Sequence, residues 1–244
     1  MTKRIVISIA LIVGLNTAMK AIIITVKQDG TGNYTTIQAG INAATWNNGD
    51  TILVWPGVYY ENIVINEKNI TVASLYLTNP DKWFIYNTII DGNHIGTSVT
   101  MNGGTGTMII DGFSIRNGTG DGGGGILTNQ AMVSIKNCII EHNYANAGGG
   151  IYCNQSTVLF SGTLVKYNHG KNVGGGISCG YNYQMQFDTI NKCNIYLNYS
   201  GKGTDIAKSF LAPAQLIIVD TFTVLYPDYH FIFSWDVYRA IGSK

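Results

Sequence analysis

The chain has 244 residues, of which only 12% are charged, and its formal net charge is +1. Its scattered lysines and arginines exclude the basic stripe that binding to nucleic acid or anionic lipid needs, and its length demands no more than one domain. Thirty glycines, only four prolines, and frequent Asn, Thr, Ile and Tyr residues favour strands joined by tight turns over helices.

The N-terminal segment, up to Ala21, is typical of a secretory signal peptide. The basic start MTKR precedes an apolar run from Ile5 to Leu15, and a stretch of small residues then leads to Ala21. The run is shorter than the roughly 20 residues that span a bilayer, which disfavours a permanent membrane anchor. We therefore predict signal cleavage after residues 1–21 and a secreted or cell-surface protein without a stable membrane span.

Residues 22–244 are predicted to form one domain that begins with a cap at about residues 26–50. Thr35 or Thr36 can cap a short helix there, and a strand, TILVW, follows an Asn-Gly-Asp turn. The apolar face of this helix consists of Ile37, Ile41 and Ala44. Such a helix would cover an open sheet edge, which every repeat solenoid must protect.

A repeat occupies about residues 51–208. Gly-Gly-Gly-Ile units begin at Gly123, Gly148 and Gly174, in steps of about 25 residues, a period typical of solenoids. A second column recurs at the same period and consists of Ile115, Ile140, Val165 and Ile195. Its last step is longer than the others, which predicts an insertion within GYNYQMQFDTINK. Upstream, IIDG occurs at residues 89–92 and 109–112, and this shorter step indicates that the repeat starts before the glycine runs.

Each repeat unit contains short alternating strands and leaves no room for an amphipathic helix. Because such a unit cannot bury its own apolar face, it must stack on its neighbours. We predict an all-β fold, a single-stranded parallel β-helix or solenoid with a short N-terminal capping helix, in which columns of the sequence become ladders about 4.8 Å apart. The coil at residues 209–244 is divergent, so we expect a fragment or shortened member that lacks a C-terminal sorting domain.

Two kinds of column have a structural interpretation. Asparagines are expected to form a hydrogen-bonded ladder at a corner, where Asn tolerates left-handed backbone; they are Asn143, Asn168 and Asn198. We favour this role over ligand binding. Cys153 and Cys179 are stacked equivalents that are close enough to bridge, whereas Cys138 and Cys193 lie two coils apart. We favour four free, buried thiols, and no CxxC or Cys/His spacing suggests zinc.

Three stretches, DGTGNYTTIQAGINAA, GDTILVWPGVYYENIVI and NITV, resemble the opening of pectin-lyase-like right-handed β-helix proteins. These include pectin methylesterases, pectate lyases and exported bacterial repeat proteins. The GGGI and Asn columns look like the repeats of the last group, with a looser likeness to polymorphic outer-membrane proteins. The resemblance implies a right-handed coil but no particular chemistry, because this fold carries lyases, hydrolases, esterases and proteins without known activity.

The catalytic stretches that the resemblance would imply are missing. FIFSW at residues 231–235 lacks the Asp and Gly of a methylesterase, and His169-Gly170 has no Asp-Asp pair of a polygalacturonase beside it. Calcium binding as in a pectate lyase would need more carboxylates than Asp91 and Asp111, which begin Asp-Gly pairs typical of turns. We predict no catalytic residue, no metal site and no cofactor, with calcium needed only by a lyase.

Tyrosines on a flat sheet can stack on sugar rings, although they also suit strands by propensity alone. Those expected on the surface are Tyr59, Tyr60, Tyr144, Tyr152, Tyr181, Tyr183, Tyr196 and Tyr199. Because the insertion should project from the solenoid, we predict Tyr181 and Tyr183 as ligand-binding residues.

Our leading hypothesis is a non-catalytic, monomeric β-helix protein of the cell surface or exterior that acts in adhesion or glycan binding. Its partner would be an extracellular polysaccharide or a cell-surface glycan, and not nucleic acid. The alternative is a polysaccharide lyase or hydrolase that acts on acidic polysaccharides such as pectin. The enzyme would use Asp91, Asp111, His169 or Lys171. Convergence of these four side chains in one groove would favour the enzyme, whereas their dispersion over different faces would rule out an enzyme that uses them.

Overall fold

The computed structural model describes residues 20–208 and the backbone of one further strand, Val237–Arg239. The predicted signal peptide and most of the predicted C-terminal coil therefore lie outside the described residues. The first twelve strands are β1 Ile23–Val26, β2 Thr51–Val54, β3 Gly57–Tyr60, β4 Ile63–Asn66, β5 Thr71–Ser74, β6 Thr88–Asp91, β7 Val99–Asn102, β8 Thr107–Asp111, β9 Ser114–Arg116, β10 Thr119–Gly122, β11 Ile126–Asn129 and β12 Met132–Lys136. The others are β13 Ile139–Glu141, β14 Tyr144–Ala147, β15 Ile151–Asn154, β16 Thr157–Ser161, β17 Leu164–Lys166, β18 His169–Val173, β19 Ile177–Cys179, β20 Gln184–Phe187, β21 Asn194–Tyr196, β22 Tyr199–Ser200, β23 Ile206–Lys208 and β24 Val237–Arg239. The helices are α1 Ile37–Ala43 and α2 Lys82–Asn87, with a 3-10 turn at Leu75–Leu77.

The strands form four parallel sheets along the axis of the molecule. Sheet A is β1-β2-β5-β8-β12-β16-β20 and sheet B is β3-β6-β9-β13-β17-β21. Sheet C is β4-β7-β11-β15-β19-β23-β24 and sheet D is β10-β14-β18-β22. Because the chain visits the sheets in turn and then returns one strand higher, it winds into a right-handed parallel β-helix. The predicted fold class is confirmed.

The strand register follows the columns of the repeat. Ile140 pairs with Ile115 below it and Val165 above it, and Val165 pairs with Ile195. All four side chains point inward, where they pack with the isoleucines of sheet C and aromatic residues such as Phe113 and Phe160. The apolar face that one coil cannot bury alone is thus shared by the whole stack.

The first glycine of each Gly-Gly-Gly-Ile unit adopts a left-handed conformation, with φ of +67° at Gly123, +62° at Gly148 and +61° at Gly174. The next glycine has no room for a side chain, since a Cβ at Gly149 would lie 2.4 Å from the carbonyl carbon of His169. The backbone N–H groups of these units donate to carbonyls of the following coil. The runs therefore make a turn and a close coil contact, and their donors are not available for a phosphate.

Helix α1 is the predicted cap, and polar side chains hold both of its ends. The Thr36 hydroxyl accepts from the N–H of Ala39 at 3.3 Å, and the Glu61 carboxylate accepts from the N–H groups of Ile37 and Gln38, each at 2.9 Å. At the other end Lys68 Nζ donates to the carbonyls of residues 41, 42 and 44. A carboxylate at the start and an ammonium at the end both complement the helix dipole.

The four cysteines are free thiols, as predicted, but only three of them are buried, because Cys193 is partly exposed. Cys153 and Cys179 are register partners on β15 and β19, and both are buried. Burial raises the pKa of Cys138 to about 12 and that of the half-buried Cys193 to about 11. These two thiols therefore stay protonated near neutral pH.

Two details of the predicted repeat are wrong. The left-handed residues at the asparagine corner are the preceding ones, Asn117, His142, Tyr167 and Leu197, because the asparagine side chains turn inward. The two IIDG stretches are not equivalent either. One ends β6 in sheet B and the other ends β8 in sheet A, so the short step between them joins different faces of the solenoid.

The extra residues of the last coil lie mostly beyond the tyrosines of the predicted insertion. Val158 pairs with Met185 and Leu164 with Asn194, so the sequence offset between register partners grows further between β20 and β21. The Asp188 carboxylate holds this turn by accepting from the N–H groups of Ile190 and Asn191 at 2.8 and 3.2 Å.

Helix α2 was not predicted. It belongs to a connection between β5 and β6 that is much longer than the short link that joins β8 to β9. Neither helix in the described part of the chain is long and apolar enough to cross a membrane.

Candidate functional site

The four candidate catalytic residues do not converge. Asp91 ends β6 in sheet B, Asp111 ends β8 in sheet A, and His169 and Lys171 lie on β18 in sheet D. The strand register also places Asp91 and His169 three coils apart, about 14 Å along the axis at the usual strand spacing. By the criterion set from the sequence, this dispersion counts against a shared active site for the four.

Asp91 is a buried structural carboxylate. It accepts from the N–H of Asn93 at 3.0 Å, from Arg116 Nε at 3.0 Å and from Asn117 Nδ2 at 2.9 Å. Burial alone would raise the pKa of Asp91, but these hydrogen bonds and the Arg116 charge hold it below its ordinary value. The residue closes its turn, as its Asp-Gly pair indicates, and it orients Arg116.

Asp111 has the opposite electrostatic environment. Burial raises the pKa of its carboxyl, and a hydrogen bond from Asn137 Nδ2 at 2.8 Å and the charge of Lys136 oppose that rise only in part. A carboxyl whose ionised form burial disfavours is a poor ligand for calcium, which binds charged carboxylate oxygens. In the described part of the chain, no group of three or more His, Cys, Asp or Glu side chains could hold a metal ion.

The two predicted ligand-binding tyrosines differ in exposure. Tyr181 is 53% exposed, whereas Tyr183 is 1% exposed and its side chain lies in the core. The prediction that Tyr183 lies on the surface is wrong, because the strand alternation that begins there turns its side chain inward. Tyr59 is buried for the same reason. Ligand binding by Tyr181 stays a prediction.

Charged and aromatic side chains meet at the corner where sheet B turns into sheet D. We call this the corner surface, and it consists of Arg116, Glu141, Lys166, His142, Tyr167, Tyr144, His169 and Tyr199. Three parallel ladders make up the surface, each with one side chain per coil. It includes only one of the residues singled out from the sequence as catalytic, His169.

The first ladder runs along the end of sheet B and alternates in charge. Asp91, Arg116, Glu141 and Lys166 are successive register partners. Arg116 Nε lies 3.0 Å from Asp91 Oδ2, and Lys166 Nζ lies 3.3 Å from Glu141 Oε2. Glu141 therefore has a cation on the neighbouring rung at each side, and both cations remain partly exposed to solvent.

The second and third ladders are aromatic. The rings of His142 and Tyr167 stack with centroids 5.6 Å apart, and Lys166 Nζ lies 5.1 Å from the Tyr167 centroid. On sheet D, His169 packs edge-on between Tyr144 and Tyr199, with centroids 5.0 and 4.8 Å away. Tyr144 is 40% exposed and Tyr199 is 66% exposed. Rigid, half-exposed rings of this kind can pack against the apolar faces of sugars.

The asparagine ladder beneath this surface positions it. Asn143 follows His142 and precedes Tyr144, and its side chain points inward. Its Nδ2 donates to Asn168 Oδ1 at 3.0 Å and to two backbone carbonyls of the corner. Asn168 repeats the pattern with Asn198, which donates in turn to Asp205 Oδ1 at 2.8 Å. The three turns that carry these asparagines, from β13 to β14, from β17 to β18 and from β21 to β22, are thereby held by the same side-chain hydrogen bonds.

The charged ladder had a signal in the sequence, although no single residue type marks it. Arg116, Glu141 and Lys166 each follow the inward residue of the second column, so their charges alternate at the repeat period. Asp205, which accepts the last hydrogen bond of the asparagine ladder, had no such signal, because it does not belong to the column of asparagines.

The chain shows limited similarity to known proteins. No family model matches it. It is 35% identical over 93 residues to a probable pectinesterase/pectinesterase inhibitor 17 of Arabidopsis thaliana, a stretch that is 37% of this chain but only 17% of that relative. The chain thus spans less than a fifth of the curated relative that it matches.

Two solved structures are also similar. The pectin methylesterase from carrot has 13% identity and a TM-score of 0.43, with 76% of this chain and 71% of that chain covered. The Aspergillus niger pectin methylesterase, in deglycosylated form, has 15% identity and a TM-score of 0.34, with 78% and 75% covered. The β-helix of the present chain is established by its own strand pairing, independently of these two likenesses. Bacterial origin and likeness to polymorphic outer-membrane repeats stay predictions.

Proposed function

We propose that this chain acts on pectin-type acidic polysaccharide as a carbohydrate esterase. The observation that carries the proposal is the 35% identity over 93 residues to a probable pectinesterase. This likeness favours the hypothesis of an enzyme acting on pectin over that of a non-catalytic adhesin, for which the comparisons offer no support. Within that hypothesis it favours hydrolysis of esters over lyase chemistry.

The corner surface is the part of the described chain that best fits an extended polysaccharide. Its rungs recur at about 4.8 Å, close to the length of one sugar unit in an extended chain, so a polymer along the axis meets similar groups at each step. Tyr144, His169 and Tyr199 offer rings to the sugars, while Arg116 and Lys166 offer cations to the uronate groups.

Glu141 is the residue to which we assign the chemistry. Its carboxylate accepts a proton from a water molecule whose oxygen attacks the ester carbonyl, and the proton then passes to the departing alcohol. Arg116 and Lys166, one rung away on either side, stabilise the oxyanion that forms. Asp91 holds Arg116 in place at 3.0 Å. The products are the free uronate and one alcohol, and the reaction needs no cofactor.

A non-catalytic glycan-binding protein is the second candidate. The dispersion of Asp91, Asp111, His169 and Lys171 over three sheets favours it, because it leaves the aromatic ladders as the main surface feature. Export, a monomeric state and independence of metal ions belong to both proposals.

Methanol release from highly methyl-esterified pectin separates the two candidates. We expect the full-length exported chain to release methanol, and Glu141→Gln to lower the rate by at least about 100-fold, the usual contribution of a general base. Glu67→Gln is the matched control, since Glu67 is exposed at another corner, between sheets C and A. Equal rates for Glu141→Gln and wild type would contradict the assignment of Glu141. Pectin binding without any methanol release would support the second candidate.

A further inference from the structure

We propose that helix α2 forms a second carbohydrate contact, a stacking platform made by Trp83 and Tyr86, for the same polymer that lies on the corner surface. This inference rests on the proposed function for the identity of the polymer, although it does not require that the polymer be hydrolysed.

Helix α2 lies on the outer face of sheet B. Ile115 points into the core, so its neighbours Ser114 and Arg116 on β9 point outward. The Ser114 hydroxyl is nevertheless buried, because it donates to the carbonyl of Ile85 in α2 at 2.9 Å. The helix therefore covers the outward side of Ser114.

The fixed position of α2 leaves its aromatic residues on the solvent side. The Asp81 carboxylate caps the helix by accepting from the N–H of Trp83 at 2.9 Å, and Ile85 packs inward with 7% exposure. Trp83 is 53% exposed and Tyr86 is 58% exposed. Three residues apart on a helix, they are neighbours on one side of it. Two large aromatic rings at the surface of a short, anchored helix offer apolar faces on which a sugar ring can stack.

The platform and the corner surface share a face of the molecule. Ser114, beneath α2, and Arg116, in the charged ladder, lie two residues apart on β9, about 7 Å along the strand. Ile139 and Leu164 continue the outward position of Ser114 along the axis. A polymer that follows the charged ladder toward the N-terminal end of the solenoid therefore reaches α2 without leaving sheet B. This continuity is why a polysaccharide is the occupant that we assign.

Binding of long and short pectin fragments tests the platform. We expect Trp83→Ala to weaken binding of the polymer by about tenfold in titration calorimetry, the upper range for loss of one aromatic contact. Binding of the galacturonate monosaccharide, a single sugar unit that cannot contact the corner surface and α2 together, should stay within twofold of wild type. Trp46→Ala is the matched control, since Trp46 is 67% exposed but lies beside the N-terminal cap, and it should leave both affinities unchanged.

The outcomes separate this inference from the proposed function. Polymer binding that Trp83→Ala does not weaken, or that Trp46→Ala weakens equally, would overturn the platform. A concentration-dependent dimer that Trp83→Ala abolishes would overturn it as well, because the face would then bind a second copy. Absence of methanol release with polymer binding that depends on Trp83 would refute the esterase and retain the platform. Absence of any polymer binding by the wild type would refute the platform.

Discussion

The side-chain amide of Asn143 donates through Nδ2 to Oδ1 of Asn168, 3.0 Å away in the next coil. The same Asn168 oxygen also accepts the backbone N–H of Asn143 at 3.1 Å. One amide oxygen thus satisfies two buried donors of the neighbouring coil, so the corner beneath the candidate site depends on the side chain as much as on the sheet.

Replacing Asn168 should therefore be costly. Asn168→Ala leaves several buried donors and acceptors without partners, and we expect the free energy of unfolding to fall by about 3 kcal/mol in urea titrations. Asn154→Ala is the control, because the Asn154 amide donates only to Asn129 at the partly exposed end of sheet C. It should lose less than about 1 kcal/mol. Equal losses of unfolding free energy in the two variants would show that the asparagine ladder stabilises the protein no more than a partly exposed hydrogen bond does.

Gly149→Ala tests the close contact between coils. Its Cβ would lie 2.4 Å from the His169 carbonyl carbon, so the backbone of one coil must shift, and we expect a loss of about 2 kcal/mol in the same assay. At Gly96 the nearest atom to a new Cβ is Asn62 Nδ2 at 3.6 Å. Gly96→Ala should therefore be nearly neutral, and a similar loss in both variants would argue against the steric explanation.

The Asp111 carboxyl should destabilise the protein at neutral pH. Because burial raises its pKa in the folded state, the folded protein binds this proton more tightly than the unfolded chain does. Stability then falls as pH rises from the ordinary pKa of Asp, about 4, through the raised value. Asp111→Asn should be more stable than wild type at pH 7 in urea titrations, and the difference should vanish below about pH 4.

The Asp188 carboxyl should have the opposite effect and stabilise the protein at neutral pH. Hydrogen bonds from the N–H of Ile190, the Ser161 hydroxyl and the N–H of Asn191 lower its pKa to about 2. Its contribution to stability is present above the ordinary pKa of Asp and is lost as pH falls toward 2. Asp188→Asn should therefore be less stable than wild type at pH 7. If the two variants shift the urea midpoint in the same direction, the electrostatic account of both residues is wrong.

The buried thiols should be unreactive in the folded state. Since the pKa of Cys138 is raised to about 12, almost no thiolate is present near pH 8, and iodoacetamide should leave Cys138 unmodified for as long as the protein stays folded. All four cysteines should react once urea unfolds the chain, with mass spectrometry as the measurement. A Cys153–Cys179 disulfide in the exported protein would contradict the free-thiol assignment for that pair.

Much of the fold followed from the sequence because a solenoid turns sequence period into spatial contact. Ile140 pairs with its own equivalents, Ile115 and Val165, in the coils on either side, so register could be counted directly. The capping helix was equally accessible, since Thr36 and the spacing of Ile37 and Ile41 are local signals. The sequence did not reveal which side chains point inward at the positions where the period breaks. One extra residue in the turn between β19 and β20 leaves Tyr181 outside, whereas Tyr183, just before β20, is aligned with the buried Ser156 of the neighbouring coil and lies inside.

The sequence by itself determined the coil length, the stacked columns and the asparagine ladder, because each depends on residues that recur at one period and contact their own equivalents. Only the tertiary structure decided the candidate site. Glu141, Tyr167 and His169 belong to three different columns, and they share a surface because the left-handed residue at each corner sets the angle between sheets B and D. The position of α2 over Ser114 was likewise decided by packing, since a helix that occurs once in a repeat has no equivalent from which its contacts could be inferred.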